Sequence, residues 1–275
     1  MSSEIDLAKW RELREKLAAS DVVLVLVEAR NPLGTFSERL WREVEEAGKK
    51  AVLLLNKSDL VPPRIAIEWS SYLESKLNSP TLPISATKRL GTLRLRKLLR
   101  RLLRESGREK LYCLVAGVPK VGKSSVINVL KGRSSAPTSL YPGSPGYTKS
   151  YTFYRVESRI YILDAPGVVP DVPDPLERLL RLHKPEKLPD PVGAAVAVLE
   201  RVARGFKKDL EAKYRAPYVE PYSFLSELAR RRGWLEKKTG EPLIEQAALV
   251  VVRDYLGGEI KFYVEPPIRA REPRD

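Results

Sequence analysis

The sequence contains very little of several residue types on which particular chemistries depend. Its 275 residues include one cysteine, Cys113, and one histidine, His183. A single cysteine cannot form an internal disulfide, and a single histidine leaves no histidine pair for a zinc site. Apolar runs such as residues 22–27 are far shorter than the ~20 residues of a membrane-spanning helix. These absences exclude a disulfide scaffold and zinc chemistry, and we expect a soluble, cytoplasmic protein.

Positive charge, by contrast, is abundant. Lys and Arg number 49 and Asp and Glu number 35, so the formal net charge is +14. The segment 88–110 is especially basic, with only Glu105 and Glu109 opposing its many lysines and arginines. Such a surface favours a polyanionic partner such as RNA, and the alternative interpretation of this segment is a solvated helix face.

In the first two thirds of the chain, short apolar segments alternate with amphipathic ones. This alternation predicts βαβ units and a mostly parallel sheet. Only Glu157 and Ser158 separate the last two predicted strands, which indicates an antiparallel hairpin. The predicted strands cover residues 22–27, 51–55, 81–84, 111–115, 150–156 and 159–163. The predicted helices include a first one with its apolar face at residues 7, 10, 13 and 17, then 36–47, 65–77 and 93–103, and another beginning at Lys123.

The pattern changes after Pro166, where prolines become frequent and the strands end. From Val192 onward the periodic segments are helical. We therefore predict two domains, an α/β domain over residues 1–174 and a smaller all-helical domain over residues 175–275. The predicted helices of the second domain cover residues 192–213, 222–232 and 243–255.

The most specific motif lies between a predicted strand and a predicted helix. Residues 117–124 read Gly-Val-Pro-Lys-Val-Gly-Lys-Ser, a full match to G-x-x-x-x-G-K-S. In this motif, backbone N–H groups surround phosphate oxygens, the lysine neutralises phosphate charge and the serine hydroxyl binds Mg²⁺. We predict a catalytic role for Lys123 and a metal-binding role for Ser124. The predicted phosphate-binding residues are Gly117, Val118, Pro119, Lys120, Val121, Gly122, Lys123, Ser124 and Ser125.

A second segment supplies the carboxylate that this chemistry needs. Asp164-Ala165-Pro166-Gly167 directly follows a predicted strand. We predict that Asp164 holds Mg²⁺ through water and that the N–H of Gly167 meets the γ-phosphate. A D-x-P-G sequence alone is also a common turn, but its position after a phosphate loop favours the functional interpretation.

Base selection is predicted from residues 56–59, Asn-Lys-Ser-Asp, which follow a predicted strand. The Asp59 carboxylate can accept hydrogen bonds from guanine N1–H and the exocyclic amine, whereas adenine would leave it unpaired. The segment 85–87 follows the next strand and is expected to present an N–H to guanine O6. A helix cap at residues 58–59 and a simple turn at Ser85 are the alternatives. The predicted base-binding residues are Asn56, Lys57, Asp59, Ser85 and Ala86.

The order of the motifs is inverted relative to ordinary GTPases, because Asn56 precedes Gly117 in the chain. This arrangement resembles the circularly permuted GTPases of the YlqF/RbgA/YawG-like ribosome-assembly family. The resemblance extends to Glu28-Ala29-Arg30-Asn31-Pro32, which is similar to that family's D-A-R-x-P, and to residues 224–233 and 261–267. It implies a circularly permuted P-loop GTPase fold in which the segment 88–110 joins the original termini.

The resemblance also implies roles for individual residues. Thr148 is implied as the switch threonine that contacts Mg²⁺ and the γ-phosphate. Val168 stands where Ras-like enzymes have a water-orienting glutamine, so we expect slow intrinsic hydrolysis. Family members use an asparagine in the phosphate loop to help hold K⁺, but this chain has Lys120 there. Its ammonium either substitutes for the cation or points to solvent.

Together the motifs predict a GTP-binding and GTP-hydrolysing switch protein whose cofactors are GTP or GDP and Mg²⁺. The resemblance implies that it binds ribosomal RNA and assists assembly of the large ribosomal subunit. The alternative is an RNA-binding module with a structural guanine nucleotide and no productive hydrolysis cycle. We expect a monomer with no membrane or DNA partner.

Overall fold

The protein is described by a computed structural model that covers residues 2–131, 137–140, 151–165 and 171–267. Within these ranges the chain packs into two compact units. The first contains the residues up to Pro173 together with those from Val264 onward, and the second contains Asp174–Tyr263. Residues 175–275 are predicted from sequence as one helical domain, whereas in the structure residues 264–267 belong to the first unit.

Seven strands of the described first unit form one sheet. They are β1 (Val22–Glu28), β2 (Lys50–Asn56), β3 (Thr81–Pro83), β4 (Leu111–Gly117), β5 (Pro137–Leu140), β6 (Tyr151–Glu157) and β7 (Ile160–Asp164). Their order across the sheet is β3-β2-β1-β4-β7-β6-β5. The pairs from β3 through β7 are parallel, and β6 and β5 add to the β7 side in antiparallel orientation. The mostly parallel sheet and the β6–β7 hairpin confirm the predicted α/β fold.

The central strands are apolar throughout because helices cover both faces of a parallel sheet. All seven residues of β1 are buried, as expected for a strand with no solvent-facing side. Strand β5 was not predicted, since its sequence Pro-Thr-Ser-Leu carries no run of apolar or alternating residues.

Five α-helices of the first unit lie within the described residues. Helix α2 begins after Ser37, whose hydroxyl accepts a hydrogen bond from the N–H of Leu40. Helix α4 lies between Gly91 and Gly107, both with positive φ. The apolar side of α4 is buried in the same core as residues of the central strands. The helices are α1 (Ser2–Ala18), α2 (Glu38–Glu46), α3 (Pro63–Leu77), α4 (Thr92–Ser106) and α5 (Lys123–Lys131).

The second unit is helical and has an apolar core of its own. Each of its first three α-helices begins with proline behind an acidic cap, Asp174, Asp190 or Glu220. Proline is favoured at that position because its missing N–H would be unpaired there anyway. The helices are α6 (Pro175–Leu182), α7 (Pro191–Tyr214), α8 (Pro221–Arg231) and α9 (Ile244–Gly257).

Among the helices of the described residues, none is both long enough and apolar enough to cross a lipid bilayer.

Candidate nucleotide-binding site

The predicted motifs follow the carboxyl ends of neighbouring strands. In the strand register Glu28 is the partner of Asn56, Leu26 of Gly117, and Val115 of Asp164. Parallel strands end at the same edge of a sheet, so ligand-binding segments collect there whatever their order in the chain. The topology therefore brings the inverted motifs to one edge, with the phosphate loop after β4 between the ends of β2 and β7.

The phosphate loop leaves β4 at Gly117 and enters α5 at Lys123. Three of its residues have positive φ, namely Gly117 at 148°, Lys120 at 64° and Gly122 at 98°. Left-handed residues within a turn aim successive N–H groups into an anion-binding concavity. The Nζ of Lys123 donates to the carbonyl oxygens of Gly117 at 2.8 Å and of Val118 at 3.1 Å. Its ammonium therefore lies across the loop in which it is predicted to bind phosphate.

Two glycines of this loop are required by close contacts as well as by φ. A Cβ on Gly117 would come within 2.7 Å of the carbonyl oxygen of Leu26 on the neighbouring strand. A Cβ on Gly122 would overlap the side-chain amide nitrogen of Asn56. The loop therefore packs closely against both β1 and the base-binding segment. A side chain at position 117 would push the loop away from β1, and one at position 122 would push it away from the base-binding segment.

Asn56 connects three segments of the site through one buried side chain. Its Nδ2 donates to the carbonyl of Val121 in the phosphate loop at 2.8 Å. Its Oδ1 accepts a hydrogen bond from the N–H of Ala86 at 3.3 Å. Asn56 therefore fixes the segment 85–87, which is predicted to face guanine O6. Between the same two loops, the N–H of Ser58 donates to the carbonyl of Ile84 at 3.0 Å. The base-binding and phosphate-binding segments thus form one hydrogen-bonded structure.

Two carboxylate oxygens at this edge are buried without a hydrogen-bond donor among the described residues, Asp59 Oδ1 and Asp164 Oδ1. A buried acceptor left unpaired costs about 1–3 kcal/mol, and more when it is charged. The donors of a guanine edge fit the need at Asp59. Mg²⁺ prefers carboxylate oxygens in sites completed by phosphates and water, which fits Asp164.

Positive charges surround Asp164. Burial raises the pKa of its carboxyl, while the charges of Lys123 and Lys16 act in the opposite direction. The Nζ of Lys16 donates to the backbone carbonyl of Asp164 at 2.9 Å and pairs with Glu12 at 2.8 Å. Lys16 could not be predicted as part of the site, because it lies on α1 in no recognisable motif and only the packing of that helix brings it to the end of β7.

A second group missed from sequence lies beneath the base-binding segment. The backbone of Lys57 has positive φ, and its Nζ pairs with the buried carboxylate of Glu28 at 2.9 Å. Arg30 pairs with the other oxygen of the same carboxylate. Glu28 and Arg30 were noted only as part of a resembling motif, and the structure gives them a role in fixing the position of Lys57.

The remaining predicted residues divide into those that the structure describes and those outside it. Ser124 and Ser125 are exposed in the first turn of α5, as the Mg²⁺ and phosphate roles require. Lys120 is exposed, and both interpretations of its ammonium stay open. Thr148, Gly167 and Val168 lie outside the described residues.

Known proteins that are similar in sequence to this chain are described as GTP-binding proteins or GTPases. Residues 112–212 match the family described as "50S ribosome-binding GTPase". Nucleolar GTP-binding protein 2 of Cryptococcus neoformans var. grubii is 33% identical over 285 residues, which cover 97% of this chain and 39% of that protein. An uncharacterized GTP-binding protein of Methanocaldococcus jannaschii is 31% identical over 247 residues, covering 88% of this chain and 63% of that protein. The chain thus spans less than two thirds of these curated relatives.

Solved structures show the same fold. The GDP-bound structure of YlqF has a TM-score of 0.65 at 21% identity, covering 94% of this chain and 99% of that one. GNP-bound YlqF from T. maritima has a TM-score of 0.56 at 21% identity and covers 92% and 95% of the two chains.

The fold and the site define a P-loop GTPase whose base-binding motif precedes its phosphate loop in the chain. The fold, the matching family and the relatives support placing the chain with the circularly permuted GTPases of the YlqF/RbgA-like family.

Proposed function

We propose that this protein binds GTP and GDP together with Mg²⁺, hydrolyses GTP slowly by itself, and acts as a nucleotide-controlled switch on ribosomal RNA during assembly of the large ribosomal subunit. One observation carries the nucleotide part of this proposal. Asp59 and Asp164, each with a buried oxygen that no described residue satisfies, follow the strands on the two sides of the phosphate loop.

Each side chain then has a defined part in binding. Asp59 accepts hydrogen bonds from the guanine edge, and Lys57, held by Glu28, lies along the base. Lys123 exchanges the loop carbonyls for phosphate oxygens when the nucleotide enters. Ser124 and Asp164 would hold Mg²⁺, which supplies positive charge to the phosphate oxygens during transfer to water.

The hydrolytic part of the proposal depends on residues outside the described ranges. Thr148 is proposed to contact Mg²⁺ and the γ-phosphate, and the N–H of Gly167 to bind the γ-phosphate. A valine at position 168 has no group that could orient the attacking water. Slow intrinsic turnover follows, with stimulation by the assembly partner.

Charge and family support the choice of RNA as the partner. The net charge of +14 attracts polyanions, and the matching family is described as ribosome-binding.

We propose that the protein is a monomer located in the cytoplasm, whereas several relatives are named as nucleolar proteins. Fractionation of cells that produce the protein decides the location.

The test of base recognition is the variant Asp59→Asn. An amide at this position donates where the carboxylate accepted, so it fits the 2-oxo group of xanthine and leaves guanine unmatched. We expect GDP affinity to fall at least about 100-fold, since a buried polar group left without its partner discriminates strongly, and xanthosine diphosphate affinity to rise. Equilibrium binding measures both. Asp209→Asn, a change at a surface carboxylate of the second unit, is the matched control, and an unchanged preference for GDP would contradict the proposal.

The same variant tests the switch. With Asp59→Asn, xanthosine nucleotides rather than guanosine nucleotides should determine how much protein stays bound to large-subunit RNA in a sedimentation assay. If retention is the same with the triphosphate, the diphosphate and no nucleotide, the nucleotide is structural and the protein is an RNA-binding module without a productive cycle.

A further inference from the structure

The basic residues of the α4 region divide into two sets in the structure. Arg96 and Arg100 pair with Glu157 of β6, at 3.4 Å and 2.7 Å. Arg108, just after the helix, pairs with Asp21 at 3.3 Å. These cations are neutralised by acidic side chains of the same unit, so part of the basic segment stabilises the fold and is not free for a ligand.

The second set lines a groove on another side of the helix. Arg94, Lys97, Arg101 and Arg104 are all exposed along this groove. Arg101 has an ion pair with Glu105 at 3.5 Å along its own helix. Among the described residues, no acidic side chain lies within ion-pairing distance of the other three. We call these four residues the basic row.

The spacing of the basic row follows from the helix itself. Intervals of three, four and three residues keep all four side chains on one face. At 1.5 Å per residue, neighbouring members are about 4.5–6 Å apart along the axis and the row is about 15 Å long. The groove has a cavity volume of ≈ 420 Å³, and besides the basic row it is lined by Pro80, Thr81 and Leu82 at the edge of the sheet and by one acidic residue, Glu74.

We propose that the basic row is a docking surface for the phosphate backbone of an RNA strand. This inference rests on the proposed function in taking RNA as the partner, and it assigns the contact to one groove of the first unit. Regularly spaced cations suit a polymer with regularly spaced charges, and guanidinium groups bind phosphate oxygens in bidentate geometry.

An acidic peptide fits the groove less well. A peptide in such a place would add to the sheet through the edge of β3. The carbonyl of Thr81 already accepts a hydrogen bond from Ser70 Oγ at 2.6 Å, and Pro83 has no N–H to offer. The edge therefore provides little backbone hydrogen bonding, while the cationic side chains remain available.

The experiment compares two double variants of the full chain. Arg94→Gln with Arg104→Gln removes two charges of the basic row that have no acidic partner among the described residues, and Arg100→Gln with Arg108→Gln removes two charges that are already paired. Both variants replace two arginines with glutamine, so they lower the net charge equally. Affinity for a labelled oligouridylate and for an RNA duplex is measured across a salt series, together with affinity for GDP.

The basic-row variant should bind RNA more weakly, and the slope of log affinity against log salt should decrease by about 1.4 for the single strand, since each lost phosphate contact removes about 0.7. The paired-charge variant should change the slope by less than half as much. GDP affinity should be the same in both. Equal losses of RNA affinity would overturn the basic row as the docking surface while leaving RNA as the partner.

Two other outcomes separate this inference from the proposed function. If the unchanged protein binds GDP but neither RNA probe, RNA as the partner fails together with the docking surface, and the nucleotide site stands. If polyglutamate binds, depends on the basic row and competes with RNA at equal charge, the occupant is an acidic protein and the RNA assignment is overturned.

Discussion

Because Gly122 has no side chain, the phosphate loop can pack directly against the base-binding segment. Its φ of 98° is strained for any other residue, and a Cβ there would displace the Asn56 amide from Val121 and Ala86. We expect Gly122→Ala to reduce the free energy of unfolding by about 2–4 kcal/mol, the sum of backbone strain and a lost buried hydrogen bond. Urea unfolding measures this, and equilibrium binding should show a large loss of GDP affinity.

Gly107 provides the control for backbone strain alone. It also has positive φ, at 64°, but nothing lies within 4 Å of a Cβ added to it. Gly107→Ala should cost about 1 kcal/mol, the penalty of a left-handed non-glycine residue, with GDP affinity unchanged. Comparable loss of GDP affinity in the two variants would mean that the contact with Asn56 does not organise the site.

Asn56 and Lys16 show what the sequence could and could not predict at the residue scale. Asn56 was predicted because it is the first residue of a short motif, Asn-Lys-Ser-Asp, that directly follows a strand. Its partner Val121 follows only from the fold, which pairs the ends of β1, β2 and β4. Lys16 has no motif, and its approach to Asp164 depends on how α1 packs. Local patterns predict residues for ligand contact, whereas the residues that hold them in place are found only from the tertiary structure.

Among the elements, α1 is attached to α2 by a bidentate ion pair. Arg14 donates to both carboxylate oxygens of Glu43, at 2.7 Å and 2.6 Å, and these bonds hold the pKa of Glu43 below its usual value. A lowered pKa in the folded state stabilises the protein above the unfolded pKa of about 4.3, and this stability is lost as pH falls through the folded value.

We therefore expect Arg14→Gln to lower the free energy of unfolding at neutral pH by at most about 1 kcal/mol, because Arg14 is 62% exposed and solvent screens the pair. The difference between the variant and the unchanged protein should shrink as pH falls below the ordinary glutamate pKa of about 4.3 and through the lower folded value. Urea unfolding at neutral pH and along an acid series measures the difference. Arg11→Gln, on the same helix but without an ion pair to any described residue, is the control. A difference that is independent of pH would show that packing, rather than the charge pair, attaches α1.

Elements differed in how well their sequences predicted them. Helix α4 was predicted because Leu95, Leu98, Leu99, Leu102 and Leu103 repeat at helical spacing, and these five are buried. Helix α6 was missed because it lies among prolines, which were taken as breakers although Pro175 occupies the first helical position. Strand β5 has neither an apolar run nor a turn signal, and only pairing with β6 defines it. Periodicity predicts elements that bury one face, and it fails where a neighbouring element or a cap decides the structure.

At the scale of the whole molecule, each compact unit has its own apolar core. In the second unit, the hydroxyl of Tyr255 donates to the buried carboxylate of Glu177 at 2.8 Å, and Arg181 pairs with the same carboxylate at 2.8 Å. This network lies entirely within Asp174–Tyr263. The nucleotide site described above lies entirely within the other unit.

We therefore predict two separable thermal transitions in calorimetry. Adding GDP at 100 times its dissociation constant should stabilise only the transition of the first unit, by about 2.7 kcal/mol. Tyr255→Phe should lower only the other transition, by about 1–3 kcal/mol, because it removes a buried donor from a carboxylate. Tyr222→Phe, at an exposed tyrosine of α8, should change neither. If GDP and Tyr255→Phe shift the same transition, the two units unfold as one cooperative structure. Nucleotide binding to the first unit would then also stabilise the helical unit against unfolding.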